Sequence, residues 1–582
     1  MTKIINFLLF TIKKGAIVYL LLASFLFFHG YLIYKTFVFD KVGEIRVLRA
    51  GYGDIPFHMT QVSKFGYTDI FNFNEPLFNG DKIRYAFLVN FLSGLLLRLT
   101  GSWMFAMHFV AIGLMTVSSI LAFLTYKMWL GKRWAALLAL VLFLLGSGMG
   151  AWSYITQHLS VNPYHWSEFT DYLIDNSVST VSDWRPVYPH QTINWGASLS
   201  LVFLHQRSFF FGVFLFTLSL YLLTRFPDLK NKYAVWLLGI ALGLGPLGHY
   251  HTFVALCLVL GSYFIIFLFR KDYLLSKRLF LVGLIAFVIA LPQVIYLLSG
   301  NNPLSGNNSF VHYRFGWMTD PGIGSVKYPE GLKLNWLTKF IIYLKFNWVN
   351  FGFILPILAL CFLSRTVRSI NKTFPFIWLA AVLFIFNNFV QLQPWDYDNN
   401  KILVYFMFFA AGSIMYVLVK IHENRKYLGL LLMLVLYPLF IFSGVVDILP
   451  RALVPINEMP IIFNRDAIRM SYFVRQNIEP RDVVITTSTH LNLVSSLAGR
   501  PSVVGFPGWL WTKGIDYGSR EQDLRNFYLD PLGNFNIAKK YNAKYVLLDP
   551  TAIYDWKLDR VLFDQNFKEL FSSGGHTLYS LR

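Results

Sequence analysis

The sequence predicts a polytopic α-helical membrane protein that ends in a small α/β block. Only 14% of its 582 residues are charged and the mean hydropathy is +0.49, whereas soluble domains carry about 25% charged residues. Apolar runs recur that are long enough for the roughly 20 residues a membrane helix needs. Together these exclude a disordered chain and make a large soluble enzyme a poor description. The α/β block is read from a sharp change in composition after residue 446. There the strand-like runs VVITT (483–487) and KYVLL (544–548) alternate with helical stretches such as SREQDLRNFYLD, the alternation of an α/β unit.

The first apolar run, 15–38, follows Lys3, Lys13 and Lys14. It is too long for a signal peptide and continues into aromatic residues, so it reads as a retained span with a cytoplasmic N-terminus. Further spans are predicted at 104–126, 134–154, 206–225, 234–248, 251–269, 279–298, 340–363, 373–390, 402–419 and 427–446. Ile83–Leu99 is apolar too, but it is short and holds Arg84, Asn90 and Arg98. Counting it as a span would invert every later loop. Leaving it out puts five basic clusters inside: Lys127/Lys132/Arg133, Arg225/Lys230/Lys232, Arg270/Lys271/Lys277/Arg278, Arg365/Arg368/Lys372 and Lys420/Arg425/Lys426. All five then obey the positive-inside rule, and Ile83–Leu99 becomes an interfacial or half-inserted helix.

About 11 transmembrane helices follow, with large outer loops at 39–103, 155–205 and 299–339. The predicted division is a transmembrane domain, 1–446, and an extracytoplasmic α/β domain, 447–582, expected to fold as a compact unit of its own. The basic loops account for the formal charge of +20. No basic stripe of a nucleic-acid reader accompanies it, so membrane lipids, not nucleic acid, are the expected partners. Cys257 and Cys361 both fall in apolar runs, which excludes a disulfide framework, a CxxC zinc site and a haem motif.

Chemistry gathers in the loops on the outer side. In GYGDIPFHMTQVSKFG (51–66), Asp54 and His58 are four apart and share a face if the stretch is helical. Asp54 has two readings: the N-cap of a helix that carries Pro56 in its first turn, or a general base just outside the membrane. QPWDYDNNK (393–401) crowds Asp396, Asp398, Asn399, Asn400 and Lys401 into one tight loop. It reads either as a solvated turn anchored by Trp395 and Tyr397, or as a substrate wall on which Lys401 meets phosphate and carboxylates hold sugar hydroxyls. Two acids with intervening Asn also have the donors for a divalent cation, although the spacing is not that of an EF-hand.

HQRSFFFG (205–212) places Gln206 and Arg207 at the start of a span, where backbone N–H groups favour anions. Arg207 suits a phosphate or a snorkelling contact to headgroups. His249 and His251 of GHYH are ligand or proton-carrier candidates, or satisfied interfacial histidines, with no third zinc ligand at a recognisable spacing. In GRPSVVGFPGWLWTKGIDYGSRE (499–521) the glycines do not form GxGxxG. Trp509 and Trp511 there either stack on a sugar or sit at the membrane interface.

An N-in first span, a large outer loop opening on an acidic residue, an interfacial helix and a basic loop after the second span resemble the GT-C glycosyltransferase superfamily. The stretch GDIPFH…EPLFNGDKIRYAFLVNFLSGLL, with QRSFFFG, QPWDYDNNK and GRPSVVGFPGWLW, is also similar to a group of prokaryotic GT-C-like membrane proteins, over most of the chain. The resemblance implies a hexosyl- or pentosyltransferase of the prokaryotic plasma membrane. Its donor would be a polyprenyl-phosphate-linked sugar and its acceptor a glycan, lipid or protein. It also implies that Asp54 is the catalytic base. His58, Gln206, Arg207, His249, His251, Asp396, Asp398, Asn399 and Lys401 are then expected to bind substrate. The competing class is a transporter or flippase of lipid-linked sugars. Transporters often show internal repeats and broken helices at the midplane, whereas here no repeat is visible and the polar residues concentrate on one face.

Overall fold

The computed structural model describes residues 16–152, 186–188, 191–192, 197–199, 206–226, 230–299, 311–319, 335–363, 376–393 and 396–581, with 186–188, 191–192 and 396–397 described by backbone alone. The expected loop 155–205 lies almost wholly outside these residues, as do most of 299–339 and the Arg365/Arg368/Lys372 cluster.

Fifteen helices are described up to residue 453: α1 (Ala16–Lys35), α2 (Ile55–Tyr67), α3 (Leu88–Thr100), α4 (Trp103–Leu130), α5 (Arg133–Leu145), α6 (Arg207–Arg225), α7 (Lys232–Gly243), α8 (Gly245–Gly248), α9 (Tyr250–Phe269), α10 (Tyr273–Leu298), α11 (Trp336–Phe351), α12 (Ile354–Leu363), α13 (Phe376–Phe389), α14 (Lys401–Asn424) and α15 (Lys426–Leu453). Seven of them (α1, α4, α6, α9, α10, α14 and α15) are long and apolar enough to cross a membrane. The pair α11 and α12, bent by 99°, makes an eighth if it is one span. Every predicted span contains a helix. However, α5, α7 and α13 have only 13, 12 and 14 residues, and at about 1.5 Å per residue these are shorter than a bilayer core. Helix length therefore supports seven or eight spans among the described residues and leaves these three as short apolar helices. The sequence of α14 is apolar on every side, as an axial helix must be, and 94% of its span window is buried.

The expected interfacial helix is α3, which starts at Leu88 rather than Ile83. It packs on α2 so closely that a Cβ on Gly94 would stand 2.5 Å from Phe65 Cβ. The predicted boundary at 447 moves. Asp447 and Arg451 pair at 2.7 Å across one turn, so α15 continues to Leu453 and the α/β block begins just after it.

That block contains β1 (Val483–Ile485) and β2 (Ala543–Leu548) where the strand-like runs stand, with β3 (Lys568–Ser573) and β4 (His576–Ser580) completing a sheet of order β3-β4-β2-β1. β1 and β2 are parallel and the other pairs antiparallel. The predicted helix lies at Gly518–Leu529.

The block does not close its own core. Residues Ile45–Arg46 after the first span pair antiparallel with Ile461–Phe463 after the last. Lys35 Nζ, at the end of α1, donates to Ala452 O (2.9 Å) and Val454 O at the end of α15. Ser63 Oγ of α2 donates to Ser495 O (2.8 Å), and Ser496 Oγ donates to Pro56 O (3.1 Å). Ile45, Met59 and Val62 share one apolar cluster with Met470, Leu497 and Leu578. Leu77 and Phe78 share another with Val503 and Leu548. The first loop and the C-terminal block therefore pack as one body.

Candidate functional site

A cavity of about 700 Å³ lies where this joint body meets the bundle. It draws on the loop before α2 (Asp54), the chain before α3 (Arg84, Tyr85), the starts of α6, α9 and α14, the end of α10, and the segment 506–513. These are all one end of the bundle. At the opposite end Lys132 and Lys420 both pair with Glu423 (3.4 and 2.7 Å).

Asp54 stands at the N-cap position of α2, with Pro56 in the first turn, but its side chain makes no capping hydrogen bond. The helix start is therefore as the sequence implies, while the carboxylate lines the cavity. The residue is half-buried. Burial raises its pKa to about 7; the nearby Asp398 carboxylate pushes the same way and the Lys401 ammonium pulls back. Asp398 is itself held by two neighbours. Lys401 Nζ pairs with Asp398 Oδ1 at 3.1 Å, and Gln206 Nε2 donates to the same oxygen at 3.2 Å.

Several polar atoms around this cluster lack a hydrogen-bond partner among the described residues. They are both ring nitrogens of His251, Gln206 Oε1, and Nε and Nη1 of Arg84. His251 is 4% exposed and its residue lines the cavity, as do Gln206 and Arg84. The remaining guanidinium nitrogen of Arg84, Nη2, donates to Asp81 Oδ1 at 2.7 Å. Buried groups left unpaired cost about 1–3 kcal/mol each, and a concave site that gathers them is the usual form of a ligand pocket.

Of the residues singled out from sequence, Asp54, His58, Gln206, His249, His251, Asp398 and Lys401 line this one cavity. His58 Nε2 accepts from the Arg207 backbone N–H (3.2 Å), and its Nδ1 lies 3.0 Å from the Asn90 amide nitrogen. His249 Nδ1 lies 2.9 Å from Thr252 Oγ1. Two expected residues stand elsewhere. The Arg207 guanidinium is off the cavity wall: Nη1 donates to Met107 O (2.8 Å), Nη2 to Ser93 Oγ (2.6 Å) and Nε to Asn90 Oδ1 (3.4 Å). Asn399 Oδ1 accepts from the N–H groups of Leu392 (2.6 Å) and Gln393 (3.1 Å), which closes its own loop. The Asp396 side chain lies outside the described atoms. No group of three His, Cys, Asp or Glu suited to a metal stands together among the described residues.

Sequence reasoning missed Arg84 and Lys513. Arg84 was read only as an interruption of an apolar run, yet an ionisable residue in such a run is itself a signal of function. Lys513 sits in the quoted stretch that holds Trp509 and Trp511, and both indoles line the cavity.

No family model matches this sequence, and no curated protein does. Solved structures do match. The oligosaccharyltransferase of Archaeoglobus fulgidus in its apo form aligns at a TM-score of 0.51 and 12% identity, covering 95% of this chain and 74% of that one. The same enzyme tethered to an acceptor peptide containing the NVT sequon aligns at 0.50 and 13%, covering 96% and 74%. ArnT from Cupriavidus metallidurans in the apo state aligns at 0.47 and 10%, covering 98% of each chain. At 12–13% identity the likeness to the oligosaccharyltransferase is one of fold.

Proposed function

We propose that this chain is an integral membrane glycosyltransferase that moves a sugar from a polyprenyl-phosphate donor to an acceptor hydroxyl, with Asp54 as general base. The observation that carries the reading is Asp54 itself. It is a carboxylate excused from helix capping, lining a cavity beside the Asp398–Lys401 pair, with a pKa raised to about 7. A base poised near the working pH is the one best suited to general catalysis. The likeness to an oligosaccharyltransferase supports the fold on which such a site would stand.

In the proposed reaction the acceptor oxygen attacks the anomeric carbon while Asp54 takes its proton. The bond from that carbon to the phosphate oxygen breaks, and the electron pair leaves with polyprenyl phosphate. The leaving group is already an anion, so stabilising its charge matters more than protonating it. Lys401 and Arg84 are the cations on the cavity wall that suit this role, and we assign it to them in place of Arg207. The unpartnered atoms of His251 and Gln206 suit sugar hydroxyls. Val254, Leu297 and Leu298 give the cavity an apolar side for the start of the prenyl chain. The basic loops would set the N-terminus in the cytoplasm and the cavity on the outer face of a prokaryotic plasma membrane. Because the cavity and its charged lining lie at one end of the bundle, transfer is favoured over transport.

The test uses the purified protein in nanodiscs with polyprenyl-phosphate-linked hexoses and pentoses. Release of free polyprenyl phosphate is expected from one of them. Donors left intact by the nanodisc protein, but moved across the bilayer of vesicles containing it, would replace this reading with a flippase. Deleting the protein should in turn make the unused lipid-linked sugar accumulate.

A further inference from the structure

The cavity has two unlike linings. The bundle supplies polar groups: Gln206, His251 and the Asp398–Lys401 pair. The joint body supplies rings: Phe57, Tyr85, Phe506, Trp509 and Trp511. Phe57 meets Tyr85 edge-on at 4.8 Å and Trp509 at 5.4 Å, and Trp509 meets Phe506 at 5.3 Å, so the rings form one continuous wall. Trp511 is 41% exposed.

We infer that this aromatic wall receives the acceptor and that the acceptor is a saccharide; the inference rests on the transferase reading. Three observations support it. First, the wall stands next to the base. Phe57 follows Asp54 by three residues at the start of α2, close to the spacing of neighbours on a helix surface. A pyranose ring lying on the Trp509 indole beside Phe57 would stand in the same cavity as Asp54. The C–H face of a sugar is weakly positive and suits the negative face of an aromatic quadrupole.

Second, the cation in the wall is already neutralised. Lys513 Nζ pairs with Glu75 Oε2 at 2.7 Å, with side chains 4% and 0% exposed, and stands 4.6 Å from the centre of the Phe57 ring. This part of the cavity thus suits a neutral polyhydroxylated ligand rather than an anion.

Third, the wall offers no strand edge to a peptide. Extended peptides are commonly held through unpaired main-chain groups of a sheet edge. Here the N–H groups of Trp509 and Leu510 donate to Phe506 O (3.2 and 3.4 Å), Thr512 to Gly508 O (3.3 Å), Lys513 and Ile515 to Leu510 O (both 3.0 Å), and Gly514 to Trp511 O (2.9 Å). The segment spends its main chain on itself and presents side chains.

Saturation-transfer NMR on the protein in nanodiscs tests this without a donor. The probes are methyl α-D-mannopyranoside, methyl β-D-glucopyranoside and methyl β-D-galactopyranoside, beside a hexapeptide containing Asn-Val-Thr. At least one glycoside is expected to receive saturation, strongest on the protons of one ring face. Trp509→Ala should weaken its binding about three- to tenfold, the scale of one lost ring contact. Trp509→Phe should retain most of it, which separates loss of the ring from loss of the fold. Tyr554→Ala, off the cavity lining, should bind as the parent does. Saturation of the peptide alone, of no probe, or of glycosides regardless of Trp509→Ala would overturn the inference. Glycoside binding by a protein that never consumes a donor would leave it standing and defeat the transferase reading. Donor consumed with only the peptide accepting would do the reverse.

Discussion

Replacing Asp54 with Asn removes one negative charge and leaves the helix start alone. Asn caps about as well as Asp, and the Asp54 side chain makes no capping bond in any case. The energetic consequence follows from the raised pKa, about 7 against an ordinary value of 3.8. Between those two values the folded protein holds a proton that the unfolded chain has lost. Stability therefore falls as pH rises through that window, and the loss is complete above about pH 7. At 1.36 kcal/mol per pKa unit the ionised carboxylate costs at most about 4 kcal/mol, and less to the extent that water fills the cavity. Asn carries no such cost. The variant should melt with the parent near pH 4 and above it at pH 8. In the same samples donor release should fall about 10²–10⁴-fold at pH 8, the usual contribution of a base. The parent's rate should climb with pH up to about 7 and then level, while the variant's stays flat. Melting by intrinsic fluorescence and polyprenyl phosphate release over pH 4–9 supply both readouts. A variant that transfers like the parent, or that melts lower at pH 8, would refute the assignment.

Lys513→Met alone strands Glu75 in a dry site and should cost about 3–5 kcal/mol, whereas Lys513→Met with Glu75→Leu should recover most of it; thermal melts of the two variants decide. Arg84→Met and Lys401→Met should each slow donor release by at least about tenfold, the effect of losing one charge-stabilising contact, while Arg207→Met should act mainly through reduced stability. In a background lacking Cys257 and Cys361, cysteines placed at Lys132 and Gln522 should be labelled from opposite sides of the membrane, and labelling from one side would overturn the proposed topology. A fragment covering 454–582 exposes the faces that bury Ile45, Met59 and Leu77, so mild proteolysis should degrade it, and co-expression with 36–103 should protect it.

The spans were legible because an apolar run and its basic ends are local signals. So were β1, β2 and the helix at Gly518–Leu529, which stand where alternation of strand and helix placed them. The union of the first loop with the C-terminal block was not. It depends on pairs such as Ile45 with Phe463 and Ser63 with Ser495, far apart in sequence and too short to leave a period. Asp54, Gln206, His251, Asp398 and Lys401 were recognisable as polar groups at one membrane edge. The direction of a side chain was not legible. Arg207 and Gln206 are adjacent, yet only Gln206 lines the cavity, because Met107 O and Ser93 Oγ offer the Arg207 guanidinium better-placed acceptors within the protein.

The α/β block also bears on the strength of the base. A carboxylate at a membrane edge, bathed in water, would sit near its ordinary pKa and be a weak base at neutral pH. Asp54 departs from that value chiefly through burial, and the atoms enclosing its cavity come partly from Phe506, Trp509 and Lys513. Those residues are held against the first loop by contacts that admit little slack. Gly505 N donates to Leu77 O at 2.6 Å, and a Cβ on Gly505 would stand 2.7 Å from Leu77 Cδ2. On the proposed reading, the surface that would seat the acceptor also excludes the water that would weaken the base. Loosening the 502–513 segment should then lower acceptor affinity and the apparent pKa of the rate together, whereas a segment that only bound acceptor would change the affinity alone.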